Sequence, residues 1–373
     1  MRRTQLRHAR AAVGAGAILA VTLSVGTLAP VASADDRSHG ERWETVTADT
    51  LREETFINSV TAAGANRAWS SGTRWVDGTP GGVVLTWRHG AWQEDTTPGL
   101  PDVSTWHSVA AADRDDVWAY GWSWTGEDPG EALAHYDGRS WEEVALPETA
   151  GHTFGELAAV PGRIWLAGDR RLSTYARGTW QTTELPAQRS IGQVHARSAN
   201  DAWAVGADYA GLGADPVALH WDGRAWRDIS PALPGLRLTD VYVESARSVW
   251  ATATSVDDWF TSHVLHWDGR AWRDTSGPVT GIHAQAVSAD GHGRAWMSGD
   301  PEGWEGPPVY WRYDGHRWTR VAGPVVPDGT TQSYEVTALA PIAHTGRFWA
   351  VGWFQLVDGT TAHQRDLIQR SRY

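Results

Sequence analysis

The 373-residue chain contains no cysteine. This absence excludes disulfides, a thiolate nucleophile and any metal site built on cysteine. Lysine is also missing, so every basic residue is arginine, and phenylalanine occurs five times against 25 tryptophans. Without disulfides the fold must depend on a hydrophobic core, for which a chain of this length is sufficient.

Positive charge is scarce. The chain has 32 basic residues against 44 acidic ones, a formal net charge of −12. An acidic surface argues against nucleic acids and anionic membranes as partners. It permits neutral or cationic ligands, among them sugars.

Long apolar runs are absent beyond the N-terminal segment. Four arginines occur within the first ten residues, followed by the apolar segment Ala11–Leu28 and the small residues Ala32–Ala34 before Asp35. This pattern predicts a secretory signal peptide over residues 1–34, with a retained membrane anchor as the alternative. The export route, general or twin-arginine, stays open.

Cleavage would leave residues 35–373 as one extracellular domain. Removing the four leader arginines from 32 basic residues leaves 28 against 44 acidic residues, a net charge of −16. We expect this domain to be a monomer.

Two stretches are almost identical: LHWDGRAWRDIS at 219–230 and LHWDGRAWRDTS at 265–276. Two β-prone runs around Asp-Gly predict a hairpin, because glycine accepts a positive φ and aspartate tolerates it. A lone hairpin is marginally stable in water, so this one must pack against copies of itself.

Tryptophans recur in two series of seven. Members of the second series follow the hairpin turn at spacings of 49, 49, 39, 46, 46 and 46 residues. Self-similarity at this period indicates a repeat architecture. The first series is Trp69, Trp118, Trp165, Trp203, Trp250, Trp296 and Trp349, and the second is Trp43, Trp92, Trp141, Trp180, Trp226, Trp272 and Trp318.

Each repeat contains four predicted strands, which we term A to D. In the fourth repeat they are Ile191–Arg197, Ala202–Gly206, Val217–Trp221 and Ala225–Ile229. Four strands per repeat with aromatic landmarks predict an all-β, seven-bladed propeller of antiparallel blades. The predicted blades are approximately 55–97, 105–147, 154–186, 190–231, 238–277, 282–323 and 334–373 plus 40–47.

The last repeat lacks a fourth strand after Leu367–Tyr373. Residues 40–46 match the strand-D sequence at 315–321, so the N-terminal strand is predicted to complete the seventh blade. Closure leaves no free sheet edge. The alternative is an open arc of six and a half blades.

The sequence resembles the tryptophan-rich repeats of secreted bacterial β-propellers in the galactose-oxidase/kelch-like superfamily. The resemblance rests on (Asp/Ser)-x-Trp-Ala-x-Gly, present as Asp201–Gly206, followed by Leu219–Trp226. It implies the propeller fold and no particular function. The galactose-oxidase copper site cannot be carried over, because its cofactor requires a cysteine.

The hairpin also resembles the Asp-box of sialidases. The stretch 222–226 lacks the spacer between Asp and Gly, and His220 replaces serine. Of the sialidase catalytic set, only Tyr334-Glu335 and two arginines before inner strands, Arg189 and Arg237, are candidates.

Aromatic and acidic residues that do not repeat form the candidate ligand site. They fall mainly in B–C connections, which share one face with the D–A connections. Aromatic rings stack on sugars, carboxylates accept hydrogen bonds from hydroxyls, and the same pair of groups binds cations. The alternative is that these rings cover strand ends. The candidates are Trp75, Trp106, Trp122, Trp124, Tyr209, Trp259, Trp304, Trp353, Asp128, Asp258 and Glu305.

We therefore predict a secreted, non-catalytic propeller that binds a carbohydrate or another small ligand on that face. A protein-interaction scaffold is one alternative, and a glycan hydrolase or lyase using loop carboxylates as acid and base is another. Three inner-strand histidines, His107, His195 and His283, differ in their offsets, so no metal and no cofactor is predicted. The short B–C connection at 168–172 predicts a notch in the rim.

Overall fold

The computed structural model describes residues 42–48, 50–124, 130–147, 155–211, 213–303, 306–326 and 331–372. Every regular element in these residues is a β-strand, and they include no apolar helix long enough to cross a membrane. The strands form seven antiparallel sheets of four main strands each. The predicted seven-bladed β-propeller is confirmed.

The first described strand is β1 (Arg42–Ala48). Blades one to three consist of β2 (Glu54–Ala62), β3 (Ala68–Val76), β4 (Thr79–Arg88) and β5 (Ala91–Glu94) in blade one; β6 (Thr105–Asp113), β7 (Asp116–Trp122), β8 (Glu131–Tyr136) and β9 (Trp141–Glu143) in blade two; and β10 (Glu156–Val160), β11 (Arg163–Gly168), β12 (Arg171–Ala176) and β13 (Thr179–Glu184) in blade three.

Blades four and five consist of β14 (Arg189–Ser198), β15 (Asp201–Asp208), β16 (Asp215–Trp221) and β17 (Trp226–Asp228) in blade four; and β18 (Leu236–Ser245), β19 (Ser248–Ser255), β20 (Thr261–Trp267), β21 (Trp272–Asp274) and the short β22 (Val279–Thr280) in blade five. Blades six and seven consist of β23 (Ile282–Ala289), β24 (Ala295–Pro301), β25 (Val309–Tyr313) and β26 (Trp318–Ala322) in blade six; and β27 (Thr331–Ile342), β28 (Arg347–Asp358) and β29 (Thr361–Arg372) in blade seven.

Strand A of every blade faces a central channel of about 280 Å³. The A strands contact their neighbours around the ring, from β2 through β27 and back to β2. Strands B, C and D follow outward, so the B–C and D–A connections lie on one face and the A–B and C–D turns on the other.

The ring closes as predicted. Strand β1 pairs antiparallel with β29, with Trp43 opposite Ser371, and becomes the outer strand of blade seven. Trp43 is buried and stacks on Tyr310 of blade six, with ring centroids 4.0 Å apart and planes 9° from parallel. The open arc is therefore excluded.

Each pair of neighbouring blades is joined by two tryptophans. The strand-D tryptophan of one blade packs in one hydrophobic cluster with the strand-B tryptophan of the preceding blade. Where the geometry is edge-to-face, ring centroids lie 5.2–5.9 Å apart. The pairs are Trp92 with Trp349, Trp141 with Trp69, Trp180 with Trp118, Trp226 with Trp165, Trp272 with Trp203, Trp318 with Trp250 and Trp43 with Trp296.

In some of these joints an indole N–H also donates a hydrogen bond to the neighbouring blade. Trp180 donates to the carbonyl oxygen of Ala145 at 2.8 Å, and Trp272 donates to that of Ile229 at 2.9 Å. Each acceptor belongs to the preceding blade. A buried indole with its N–H satisfied contributes its apolar area without a desolvation penalty.

The C–D turn is one residue longer than the predicted strand bounds implied. Trp221 pairs directly with Trp226, so four residues connect the strands, and strand D begins at Trp226 rather than Ala225. The Asp222 carboxylate accepts hydrogen bonds from the backbone N–H groups of Arg224 and Ala225, both at 3.0 Å. Because the side chain satisfies these donors, the wider turn is stable.

Other boundaries shift by a few residues. Strand A of blade four spans Arg189–Ser198, three residues longer than predicted, and it contains a bulge between Ile191 and Gln193. In blade three, the predicted start at Phe154 lies outside the described residues.

We predict that Trp43→Ala lowers the free energy of unfolding by about 3–5 kcal/mol, since it empties the joint that closes the ring. Urea denaturation followed by far-ultraviolet circular dichroism measures the change. Trp226→Ala is the matched control: it removes the strand-D tryptophan of blade four, which is less buried, so its cost should be smaller. Equal costs would contradict a special role for closure.

Candidate ligand site at the channel mouth

Three polar residues occupy the same register position on consecutive inner strands. Arg237 in β18, His283 in β23 and Glu335 in β27 each directly precede the residue at which the strand-A bulge begins. Directly paired residues of an antiparallel ladder have their side chains on one side of the sheet. Asp300 therefore lies on the same side of blade six as His283, and Trp353 lies on the same side of blade seven as Glu335.

An exposed aromatic ring covers part of this row. The indole of Trp259, from the B–C connection of blade five, stacks on His283 with centroids 4.2 Å apart and planes 5° from parallel. The Arg237 guanidinium carbon lies 4.7 Å from the centroid of the same indole. Trp259 is nevertheless 48% exposed, so its indole contacts the buried His283 and also faces solvent.

The loop itself holds Trp259 in place. The Asp258 carboxylate accepts a hydrogen bond from the N–H of Phe260 at 3.1 Å and another from the hydroxyl of Thr261 at 2.6 Å. Asp258 thus acts on the loop conformation, and through it on the position of the indole.

Beneath Trp259 lie buried polar atoms without partners. The His283 side chain is 8% exposed, and neither ring nitrogen makes a hydrogen bond. Asp300 is fully buried; its Oδ2 accepts a hydrogen bond from Gln285, while its Oδ1 has no partner. Leaving such a group unsatisfied costs about 1–3 kcal/mol, and the exceptions in folded proteins often mark functional sites.

Burial also changes the protonation equilibria of His283, Glu335 and the neighbouring Asp300. It raises the pKa of Asp300 to about 8, assisted by the nearby Glu335, and it raises the pKa of Glu335 to about 7. Burial, with the positive charge of Arg237, lowers the pKa of His283 to about 4. Burial therefore favours the neutral forms of His283, Asp300 and Glu335 near pH 7.

Comparisons with known proteins agree with the architecture. No family model matches the chain, and no curated protein is detectably similar to it in sequence. YCF48 from Cyanidioschyzon merolae aligns with a TM-score of 0.55 at 15% identity, over 88% of this chain and 98% of that one. The GH74 xyloglucanase from Xanthomonas campestris aligns with a TM-score of 0.58 at 16% identity, over 87% of this chain and 55% of that one.

A lectin from Aleuria aurantia, described as a six-bladed β-propeller with a fucose recognition mode, aligns with a TM-score of 0.44 at 10% identity, over 85% of this chain and 96% of that one. At such identities the likeness is one of fold alone. This chain is a β-propeller.

The remaining predicted aromatics of the propeller fall into separate contacts. Trp75 lies 6.3 Å from Trp124, which is 43% exposed. Trp122 lies 4.9 Å from His107, and Trp353 contacts Phe56 edge-on at 5.6 Å. Tyr209 is exposed in blade four. Of the predicted candidates, Asp128, Trp304 and Glu305 lie outside the described residues.

The prediction for Trp106 was wrong. Its indole is fully buried, and its ring atoms lie 2.7 Å from a Cβ placed on Gly82 and 2.9 Å from one placed on Gly121. Trp106 therefore fills the space between blades one and two that these glycines leave open. A ligand cannot reach it.

The inner-strand histidines serve different contacts. His195 Nδ1 accepts the N–H of Val243 at 3.1 Å, and His107 Nε2 lies 3.1 Å from Glu156 Oε1. Across the described ranges, no three histidine, aspartate or glutamate side chains are arranged to hold a metal ion.

The sialidase-like residues are used by the fold. Arg189 forms ion pairs with Asp208 at 3.0 Å and Asp228 at 2.6 Å. The Tyr334 hydroxyl accepts the backbone N–H of Val326 at 2.6 Å and is buried. The short B–C connection of blade three is confirmed, because Gly168 pairs with Arg171 across a tight turn.

Sequence reasoning did not place Arg237, His283, Gln285, Asp300 and Glu335 in one site. The signal that unites them is the strand-A bulge, which fixes which residues share a register position. The bulge is not visible in the hydrophobic pattern.

We predict that Asp300→Asn stabilises the propeller at alkaline pH. Folding raises the pKa of Asp300 from 3.8 to about 8, so the folded state binds a proton that the unfolded state releases. Stability must then fall as the pH rises between these values, and asparagine removes this dependence. Urea unfolding at pH 5 and pH 8.5 should show a smaller decrease for the variant than for the wild type.

Asp222→Asn is the control of opposite sign. The backbone N–H groups of Ala225 and Arg224 lower the pKa of Asp222 to about 2. Its carboxylate therefore stabilises the folded state above about pH 4, and the asparagine variant should be less stable at pH 8.5. An Asp300→Asn variant with the wild-type pH slope would show that Asp300 is ionised in the folded protein.

Proposed function

We propose that the propeller binds a polyhydroxylated ligand, a carbohydrate, at the channel mouth between blades five and seven. One observation carries the proposal: both ring nitrogens of His283 are buried without hydrogen-bond partners, directly beneath the exposed indole of Trp259. Buried polar groups of this kind need a partner, and a ligand that reaches them supplies one.

The chemistry of the row favours hydroxyl groups. A neutral imidazole has one donor and one acceptor, and a protonated carboxyl donates. A sugar presents hydroxyls that donate and accept, together with an apolar C–H face that packs on an indole. The ligand reaches His283 by lying alongside Trp259 or by displacing it.

A hydrolase is less well supported. Glycoside cleavage needs two carboxyl groups that both reach the scissile bond. Asp300 is fully buried, so in this pair only the partly exposed Glu335 meets a ligand. A protein scaffold has support only from exposed apolar side chains distributed over several blades, such as Val76, Trp124 and Tyr209.

We further propose that residues 1–34 direct export and that the propeller acts outside the cell as a monomer. The basic, apolar and small-residue segments of the leader support this. Mass spectrometry of protein from the culture medium should give a chain beginning at Asp35. An intact leader on membrane-bound protein would favour the retained anchor instead.

We predict that Trp259→Ala weakens sugar binding by about tenfold or more, as expected for an aromatic anchor of a ligand site. A glycan array identifies the bound sugar, and calorimetry measures its dissociation constant. Trp124→Ala is the matched control, because Trp124 is similarly exposed on the same face in blade two. Circular dichroism verifies that both variants fold.

Equal loss of affinity in the two variants would contradict the position of the site. Absence of binding to every sugar on the array would contradict the proposed function.

A further inference from the structure

One arginine at the channel mouth has no counter-ion. Among the described residues, Arg237 forms no ion pair and no side-chain hydrogen bond, and its guanidinium lies over the indole of Trp259. Arg189 in the preceding blade differs, since it pairs with both Asp208 and Asp228. A half-buried guanidinium keeps its charge and all of its donors, so it favours an anionic partner.

The neighbours of Arg237 do not neutralise it. Burial lowers the pKa of His283 and raises the pKa of Asp300, so the neutral form of each is favoured. Glu335 lies two blades away, and its ionisation is also suppressed by burial. Burial thus favours the uncharged forms of the three groups that share the site with Arg237, on a chain whose formal charge is −12.

We propose that the ligand is an acidic sugar, a hexuronic acid whose carboxylate pairs with Arg237 while its ring lies against Trp259. The hydroxyl groups then reach His283 and Glu335. This inference rests on the proposed function and specifies the substrate class of the same site.

The geometry of the guanidinium N–H groups of Arg237 favours a carboxylate. Guanidinium presents two parallel N–H groups that match the two oxygens of a carboxylate. A sulfated sugar shares the anionic charge, so it is the alternative source of the same contact. A cationic sugar is disfavoured, because Arg237 would repel it.

The test compares matched sugars by calorimetry on the full propeller. Galacturonate, glucuronate and mannuronate are each measured beside the neutral hexose of the same configuration and its 6-sulfate. We expect one uronate to bind at least tenfold more tightly than its neutral counterpart, with an affinity that falls as sodium chloride is added.

Variants assign the preference to Arg237. Arg237→Gln should abolish the preference for the uronate, so that the uronate and the neutral hexose bind with equal affinity. Arg237→Lys keeps the positive charge but loses the two parallel N–H groups of the guanidinium, so it should retain part of the preference for the uronate. This variant replaces Arg237→Gln in the test if the glutamine variant does not fold. Arg224→Gln is the control, because it removes one exposed positive charge from a C–D turn on the opposite face.

The outcomes separate the two proposals. Equal binding of uronate and neutral hexose overturns the acidic-sugar inference and leaves carbohydrate binding in place. Tighter binding of the 6-sulfate overturns the carboxylate assignment. A preference for the uronate that persists in folded Arg237→Gln overturns the assignment of that preference to Arg237. No binding in any arm overturns both the inference and the proposed function.

Discussion

A contact between two tryptophans joins each pair of neighbouring blades. The strand-D ring of one blade packs with the strand-B ring of the preceding blade, as Trp272 does with Trp203 at 5.5 Å and 89°. Each of these contacts needs residues from two blades, so the stability of every blade depends on its neighbours in the ring. The same contact explains why the chain is rich in tryptophan and folds without cysteine. Closure uses the same contact: Trp43 meets Trp296 at 5.3 Å and 87°.

Because the repeated residues form the joints, chemistry is confined to positions that the joints leave free. One such position lies just before the strand-A bulge, where each blade contacts the next. Between blades one and two it holds Thr73 and Thr105, whose hydroxyls are 2.6 Å apart. Between blades six and seven the same position holds Asp300 and Glu335, so one scaffold position carries a neutral contact in one place and an acid pair in another.

The features that recur in every blade could be predicted from the sequence. Seven copies of two tryptophans were enough to infer the blades, their order and the displaced strand at Trp43, because every copy must satisfy the same joint. Trp106 shows where such reasoning fails: its side chain lies between two blades, and its depth depends on Gly82 and Gly121 of neighbouring strands. His283 and Glu335 could not be aligned either, because the bulges that set their register leave no mark in the pattern of apolar residues.

The acid pair, Asp300 and Glu335, distinguishes this part of the channel mouth from the rest of the ring. The threonine pair shows that the architecture needs no carboxyl at this position, and a hydroxyl pair avoids the penalty of burying an ionisable group. Asp300 is fully buried with one oxygen unpartnered, and His283 beside it has two unpartnered nitrogens. These groups reduce the stability of the folded chain at neutral and alkaline pH. The joint between blades does not require this loss of stability, which is in keeping with the binding role proposed for His283 and its neighbours.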